Sequence, residues 1–276
     1  MSTSKDSSSS WEYGDRSDSV SIGTHSLYLS VSGRERKTGD PVIIVFTGAG
    51  ASLESWRDVE RLINPIARVL LYDRAGLGKS EPGPNPDTGA ANAQELSQLL
   101  KAAAIDGPYI LVAHSYGGCI AREFLQRHLG DVIGVVLSET GTETRCQYHE
   151  MQYRKRILDP YPLSVLRGAD AIKIPVLESS DMQDSIAKRQ HQQRQMMAEK
   201  VNEADERLKK EQLQLSSNHR FQNIPCGHSI HRDRPDLVAE EIKWVLTNSS
   251  TISGMRQPTG AQHWATRWAR MLMCSP

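Results

Sequence analysis

The sequence predicts a single α/β domain built on a mostly parallel β-sheet. The chain has 276 residues, of which 38% are hydrophobic, and this suits one globular domain because domains usually run to about 50–250 residues. Short, unbroken apolar runs recur along the chain and are typical of strands buried on both faces of a sheet. Stretches of helical period separate these runs, and such alternation implies right-handed crossovers between parallel strands.

The individual elements can be placed in chain order. Residues 1–17 are polar and serine-rich, which predicts a disordered segment, and the alternating apolar residues of 20–33 predict an antiparallel hairpin at the sheet edge. Buried strands are predicted at Val42–Phe46, Val69–Tyr72, Tyr109–Ala113 and Val132–Leu137, with weaker strands at Ile174–Leu177 and Phe221–Ile224. Helices are predicted at Trp56–Ile63, Asn92–Ala104, Cys119–His128 and Asp236–Leu246.

Three segments do not fit this alternation. Residues 140–170 lack strong periodicity and are expected to form a short lid over the site. Residues 184–215 are mostly Lys, Arg, Gln and Glu, which predicts a solvated helix packed along one narrow apolar stripe, formed by Ile186, Met196, Met197, Val201, Leu208, Leu213 and Leu215. The domain is predicted to span residues 18–248, and the tail 249–276 is either a docking helix around Trp264 and Trp268 or a poorly ordered extension.

Composition narrows the class of partner. Lys plus Arg and Asp plus Glu number 33 each, so no overall field attracts nucleic acid or an anionic membrane, and a small molecule is the expected partner. No run approaches the roughly 18 apolar residues of a membrane span. The cysteines are far apart and no apolar signal segment opens the chain, which predicts free thiols in a reducing, cytoplasmic compartment. The oligomeric state is left open.

Ser115 is the strongest candidate for a catalytic residue. It lies in the sequence Ala113-His114-Ser115-Tyr116-Gly117-Gly118, directly after a predicted strand and at the start of a predicted helix. This is the context of a nucleophile elbow, a tight turn in which a strained serine needs small neighbours two positions away on either side. Ala113 and Gly117 meet that need, so the pattern predicts a serine nucleophile.

A serine nucleophile requires a base and a carboxylate that orients the base. His228 follows the last predicted strand and is the favoured base, with His231 as the alternative. Glu139 directly follows the strand Val132–Leu137 and is the favoured acid, while Asp184 and Asp181 remain open as alternatives. Cys226, His228 and His231 do not complete a tetrahedral metal site, and we expect neither a metal nor an organic cofactor.

Acyl transfer also needs two N–H donors for the developing oxyanion. The backbone of Tyr116, the residue after the nucleophile, is one candidate donor. Ala49 is the other, because it lies in the turn Thr47-Gly48-Ala49-Gly50 after the first parallel strand, where glycines allow close approach of a ligand. The turn lacks the spacing of a nucleotide-binding glycine motif.

Four segments together resemble the α/β-hydrolase superfamily, in particular its AB-hydrolase-1-like branch of serine esterases and lactonases. They are FTGAG, YDRAGLGKS, AHSYGG and GHSIHRDRP, and the resemblance covers about residues 20–247. It implies an α/β-hydrolase fold in which Ser115, Glu139 and His228 form a catalytic triad. Thr47 departs from the family, since many members have histidine there. Asp73 and Arg74 are expected to hold their loop near the turn that contains Ala49.

The expected activity is hydrolysis of a small carboxylic ester or lactone through an acyl-serine intermediate. An acyltransferase, or an amidase or peptidase, would use the same triad and stays an alternative. A noncatalytic ligand-binding protein is a further alternative, because a fold does not establish a reaction.

Overall fold

The computed structural model describes residues 11–141, 149–169 and 185–255. Within these ranges eight strands form one sheet: β1 Arg16–Ser21, β2 Ser26–Gly33, β3 Val42–Phe46, β4 Arg68–Tyr72, β5 Tyr109–His114, β6 Val132–Ser138, β7 Leu163–Gly168 and β8 His219–Ile224. Their order in the sheet is β1-β2-β4-β3-β5-β6-β7-β8. The first hairpin pairs antiparallel within itself and with β4, and every other pairing is parallel. This confirms the predicted fold class.

Helices cover both faces of the sheet. They are α1 Arg57–Ile63, α2 Gly89–Ala102, α3 Gly117–Arg127, α4 His149–Arg154, α5 Ser185–Glu211, α6 Ile230–Asp233 and α7 Pro235–Met255. Apolar residues of α2 and α3 form a core with one face of the sheet, and those of α1 and α7 form a second core with the other face. Because β3, β5 and β6 are fully buried between these layers, their carboxyl ends are held at one edge.

Both ends of the described fold reach beyond the predicted elements. Trp11 is 5% exposed, and its carbonyl accepts a 2.7 Å hydrogen bond from Arg68, so residues assigned by sequence to a disordered segment are packed here. At the other end α7 continues to Met255 instead of ending at Leu246. Ser249 is fully buried there and donates to the carbonyl of Ile133 at 2.6 Å, so a serine-rich sequence continues the helix by bonding to backbone. Residues 256–276, with Trp264 and Trp268, lie outside the described residues.

The region predicted as a lid contains a strand that the sequence analysis missed. Residues 163–168 form β7, which lies in the sheet between β6 and β8. The run was not recognised because it includes Ser164 and Arg167, although both are buried. Each finds a charged partner: Ser164 donates to Glu241 at 2.5 Å, and Arg167 donates to Asp205 at 2.8 Å. The predicted strand Ile174–Leu177 lies outside the described residues.

Helix α5 is present, but its predicted apolar stripe is only partly buried. Met196, Met197, Val201 and Ile186 are exposed, Met197 by 70%. The end of α5 near the sheet is held by ion pairs instead. Lys209 pairs with Glu139, and Asp205 pairs with Arg167 and with Lys209. The apolar residues that do pack, Leu213 and Leu215, lie beyond α5 in the short 3-10 turn Gln212–Leu215.

Candidate active site

Ser115 lies at the sharp turn between β5 and α3. Its φ is +51°, a left-handed conformation that a serine adopts only when its surroundings impose it. The surroundings are tight: a Cβ added to Gly117 would lie 2.2 Å from the carbonyl oxygen of Phe46. A side chain at position 117 would therefore push β3 and α3 apart, so the strand–turn–helix geometry expected of a nucleophile elbow is present.

The glycine turn after β3 packs directly on this elbow. A Cβ added to Gly48 would lie 3.4 Å from the Cβ of Ser115. Arg74 holds the turn in place, donating to the carbonyls of Thr47 and Gly48 at 2.8 and 2.9 Å. The expected structural role of the loop after β4 is thus confirmed for Arg74. Ala49, the next residue of the same turn, is exposed.

The residue after the nucleophile, Tyr116, uses its side chain to fix a neighbouring loop. Its hydroxyl donates to the carbonyl of Asp87 at 3.3 Å, and its ring lies 5.5 Å from the Arg74 guanidinium. Burial and the nearby Asp87 carboxylate raise the pKa of Tyr116 to about 12. The phenol is therefore neutral near pH 7.

His228 lies in the loop between β8 and α6. Its carbonyl accepts a hydrogen bond from His114 Nε2 at 2.8 Å, and the two rings are 4.8 Å apart. His114 immediately precedes Ser115, so this bond ties the His228 loop to the elbow. The His228 side chain is 53% exposed, which leaves one side of the ring open to solvent.

Glu139 follows β6 and faces His228. Its φ is +50°, and its side chain is only 2% exposed. Oε2 lies 3.0 Å from His228 Nδ1, while Oε1 accepts a bond from the backbone N–H of Gly168 at 2.7 Å and lies 3.1 Å from Lys209 Nζ. Burial alone would raise the pKa of Glu139, but the His228 bond, the Lys209 charge and the Gly168 N–H outweigh it and lower that pKa. The carboxylate is thus ionised at neutral pH.

His231 occupies a different place from His228. Its ring stacks on Trp56 at 4.7 Å and packs against His114 at 4.4 Å. Burial lowers the pKa of His231 to about 3 and that of His114 to about 4. Both rings are therefore neutral near pH 7 and form a layer behind His228. The alternative acids Asp181 and Asp184 lie outside the described residues.

Sequence analysis missed the charged groups around Glu139. Lys209 bonds to Asp205, whose other oxygen accepts from Arg167 at 2.8 Å. Lys209 and Arg167 are 5% and 4% exposed, although Lys209 lies in a run whose composition predicted a solvated helix. Its i,i+4 spacing from Asp205 was a visible signal, but that spacing is equally common on exposed helix surfaces.

Within residues 11–141, 149–169 and 185–255, no three His, Cys, Asp or Glu side chains converge as a metal site would require. No helix in these ranges combines the length and the apolar character needed to cross a membrane.

The chain belongs to the family described as alpha/beta hydrolase fold, whose model matches residues 41–269. It is 27% identical to an AB hydrolase superfamily protein of Gibberella zeae, over 80% of this chain and 91% of that protein. It is also 29% identical to a probable transporter, efuK, of Hormonema carpetanum, over 82% of this chain. The chain spans only 42% of the length of that relative.

The fold also matches solved hydrolase structures. The enol-lactonase from Burkholderia xenovorans LB400 superimposes with a TM-score of 0.59 at 16% sequence identity, covering 83% of this chain and 100% of that one. Identity this low shows a common fold. The fold class and the family are therefore established, whereas the chemistry depends on the residues of the site.

Proposed function

We propose that this protein is a serine hydrolase that cleaves a small carboxylic ester or lactone through an acyl-Ser115 intermediate. The observation that carries the proposal is the 3.0 Å contact of buried Glu139 with His228 Nδ1, beside a serine with φ +51°. Glu139 holds the Nδ1–H tautomer of His228, which leaves Nε2 as the proton acceptor for Ser115. This is the arrangement that activates a serine hydroxyl.

The reaction would proceed in two halves. Ser115 Oγ attacks the substrate carbonyl carbon while His228 takes the hydroxyl proton, and the oxyanion accepts bonds from the backbone N–H groups of Ala49 and Tyr116. The tetrahedral intermediate collapses as His228 returns the proton to the leaving alkoxide, which stays tethered if the substrate is a lactone. Water, deprotonated by His228, then attacks the acyl group and releases the acid and Ser115.

Two features support hydrolysis of this substrate class. The His228 side chain is 53% exposed, so water can reach the base, as hydrolysis of an acyl-enzyme requires. A solved structure of the same fold is an enol-lactonase, which supports a lactone as one candidate substrate. The role of Glu139 rests on geometry, and both alternative acids lie outside the described residues.

The test is turnover of p-nitrophenyl esters and lactones of graded chain length. Ser115→Ala and His228→Ala should each lower kcat/KM by about four orders of magnitude or more, because each removes a member of a unit that acts together. Ser97→Ala is the matched control and should retain full activity, since the Ser97 hydroxyl bonds to the Ala93 carbonyl and to His128 Nε2, neither of which belongs to the proposed site. Loss of turnover in His231→Ala but not in His228→Ala would contradict the assignment of the base.

A further inference from the structure

Lys209 is a buried cation that the proposed reaction does not use. Its side chain is 7% exposed, and its Nζ lies 3.1 Å from Glu139 Oε1. The ammonium also contacts Asp205, one turn earlier on α5, at 2.5 Å. Burying a charged lysine this deeply lowers the stability of the fold unless carboxylates surround the ammonium group. Here one of its two carboxylates is the proposed catalytic acid.

Because Lys209 contacts Oε1, the two oxygens of Glu139 have different partners. Oε1 is held by Lys209 and by the Gly168 N–H at 2.7 Å, and Oε2 faces His228 Nδ1 at 3.0 Å. Two donors on one oxygen fix the rotation of the carboxylate plane. Without Lys209, one short N–H bond alone would hold Oε1, and the carboxylate could turn away from His228.

Within the described residues, charged and titratable groups from β5, β7 and α6 surround this pair. Arg167 of β7 pairs with Asp205 at 2.8 Å and with Glu206 at 3.8 Å, so Asp205 stays paired even without Lys209. On the other side His114 of β5 and His231 of α6 have pKa values near 4 and 3 because they are buried. Neither ring changes charge near neutral pH, although the Arg232 charge also acts on both.

We propose that Lys209 is a positioning residue for the Glu139–His228 pair and that it sets the pH at which Ser115 becomes reactive. The inference rests on the proposed function. The Lys209 charge partly cancels the Glu139 charge that faces His228, which makes a protonated His228 less favourable. Lys209 therefore extends the active form of the site to lower pH, and it does so from α5, a helix outside the elbow.

The experiment measures the rate at which a fluorophosphonate phosphonylates Ser115 from about pH 5 to about pH 9, because this rate requires a neutral His228. In Lys209→Met the midpoint of the acid limb should move up by about one pH unit, the size expected for one charge lost several ångströms away at an effective dielectric constant of about 40, since solvent reaches the half-exposed His228 ring. The plateau rate should fall about tenfold as the carboxylate loses its orientation. Lys209→Arg keeps the charge, so its midpoint should lie close to that of the wild type.

Lys210→Met is the matched control. Lys210 is the next residue of the same helix, its side chain is 52% exposed, and it pairs with Glu206. Its substitution removes the same charge at the surface and should leave the midpoint unchanged. An equal shift in both variants would overturn the inference, since it would reflect net charge alone.

Asp205→Asn gives a second arm with the opposite sign. It removes a negative charge beside Lys209 and leaves that ammonium to Glu139, so the midpoint should move down, by about half a pH unit because Asp205 is partly exposed. If Lys209→Met does not fold, the pH profile of Asp205→Asn tests the proposed role of Lys209. A folded Lys209→Met or Asp205→Asn whose profile coincides with that of the wild type overturns the inference alone. Absence of Ser115 labelling in the wild type at every pH contradicts the proposed function, and the inference falls with it.

Discussion

Two regions of the candidate site are held in place by different forces. One is the elbow at Ser115, and the other is the Glu139 edge, formed by Glu139, His228, Lys209 and Gly168. The elbow is steric: a positive φ at Ser115 and a glycine at 117 that allows no side chain beside Phe46. The Glu139 edge is electrostatic, since a buried carboxylate is held by His228, Lys209 and the Gly168 N–H. Shape fixes the first region, and charges fix the second.

The two regions also differ in how far apart their parts lie in the chain. The elbow is assembled from neighbouring residues of β5 and α3, with β3 packed against it. The partners of Glu139 come from β7, from α5 and from the loop after β8, so they meet only when the sheet is complete. Substitutions of the elbow residues that pack around Ser115 should therefore act mainly on stability, and those at the Glu139 edge mainly on rate and pH dependence.

Apart from replacing the nucleophile or the base itself, the largest effect is expected at the Glu139 edge. Glu139→Gln keeps the size of the side chain but loses the charge and the control of the His228 tautomer, so kcat/KM for a p-nitrophenyl ester should fall by about three orders of magnitude. Glu206→Gln, at the same edge but facing Arg167, should remain within about threefold of the wild type. Activity of Glu139→Gln within tenfold of the wild type would show that another carboxylate orients the base.

The steric region is tested by adding one methyl group. In Gly117→Ala the new Cβ would lie 2.2 Å from the Phe46 carbonyl oxygen, so the free energy of unfolding should fall by about 3 kcal/mol or more. In Gly50→Ala the φ is +64° but nothing lies within 4 Å, so only the left-handed backbone is strained, by about 1 kcal/mol. Urea denaturation measures both. Equal losses in the two variants would mean that backbone conformation, not close packing, decides the elbow.

The smallest expected difference between the two regions is the pH at which each loses stability on acidification. His231, with its pKa lowered from 6.5 to about 3 by burial, stabilises the fold fully above pH 6.5, and that contribution is lost as the pH falls toward 3. Glu139, whose pKa lies below its ordinary 4.5, stabilises the fold above pH 4.5, and that contribution is lost only below it. On acidification the contribution of His231, in the layer behind His228, is therefore lost before that of Glu139.

His231→Phe removes the titrating group but keeps a ring against Trp56. Between about pH 6.5 and about pH 4.5 its free energy of unfolding should fall by about 1–2 kcal/mol less than that of the wild type. Denaturation curves at these two pH values provide the measurement. An identical fall in both proteins would place the acid sensitivity elsewhere.

Features that depend on neighbouring residues could be predicted from the sequence. The fold class, the hairpin and the buried strands β3 to β6 follow from local apolar runs, and the elbow follows from a local motif. His228 and Glu139 were predicted as a base and an acid by their positions after strands, and the structure brings them to 3.0 Å.

The missed features all depend on distant partners. Arg167 and Ser164 in β7 read as loop residues because their carboxylates, Asp205 and Glu241, lie far along the chain. The sequence around Lys209 is typical of an exposed helix, and its burial depends on the packing of α5 against the end of β6. No local pattern distinguishes a buried ion pair from an exposed one, since the residue types and spacings are the same.

The proposed function requires Ser115 to be the activated nucleophile of the folded protein. Its most direct measurement is peptide mass spectrometry after treatment with a fluorophosphonate, in native and in urea-unfolded protein. We expect phosphonylation at Ser115 in the native protein, none in the unfolded protein, and a rate reduced about a thousandfold in Glu139→Gln. A native protein that is unlabelled, or labelled at another residue, would contradict it.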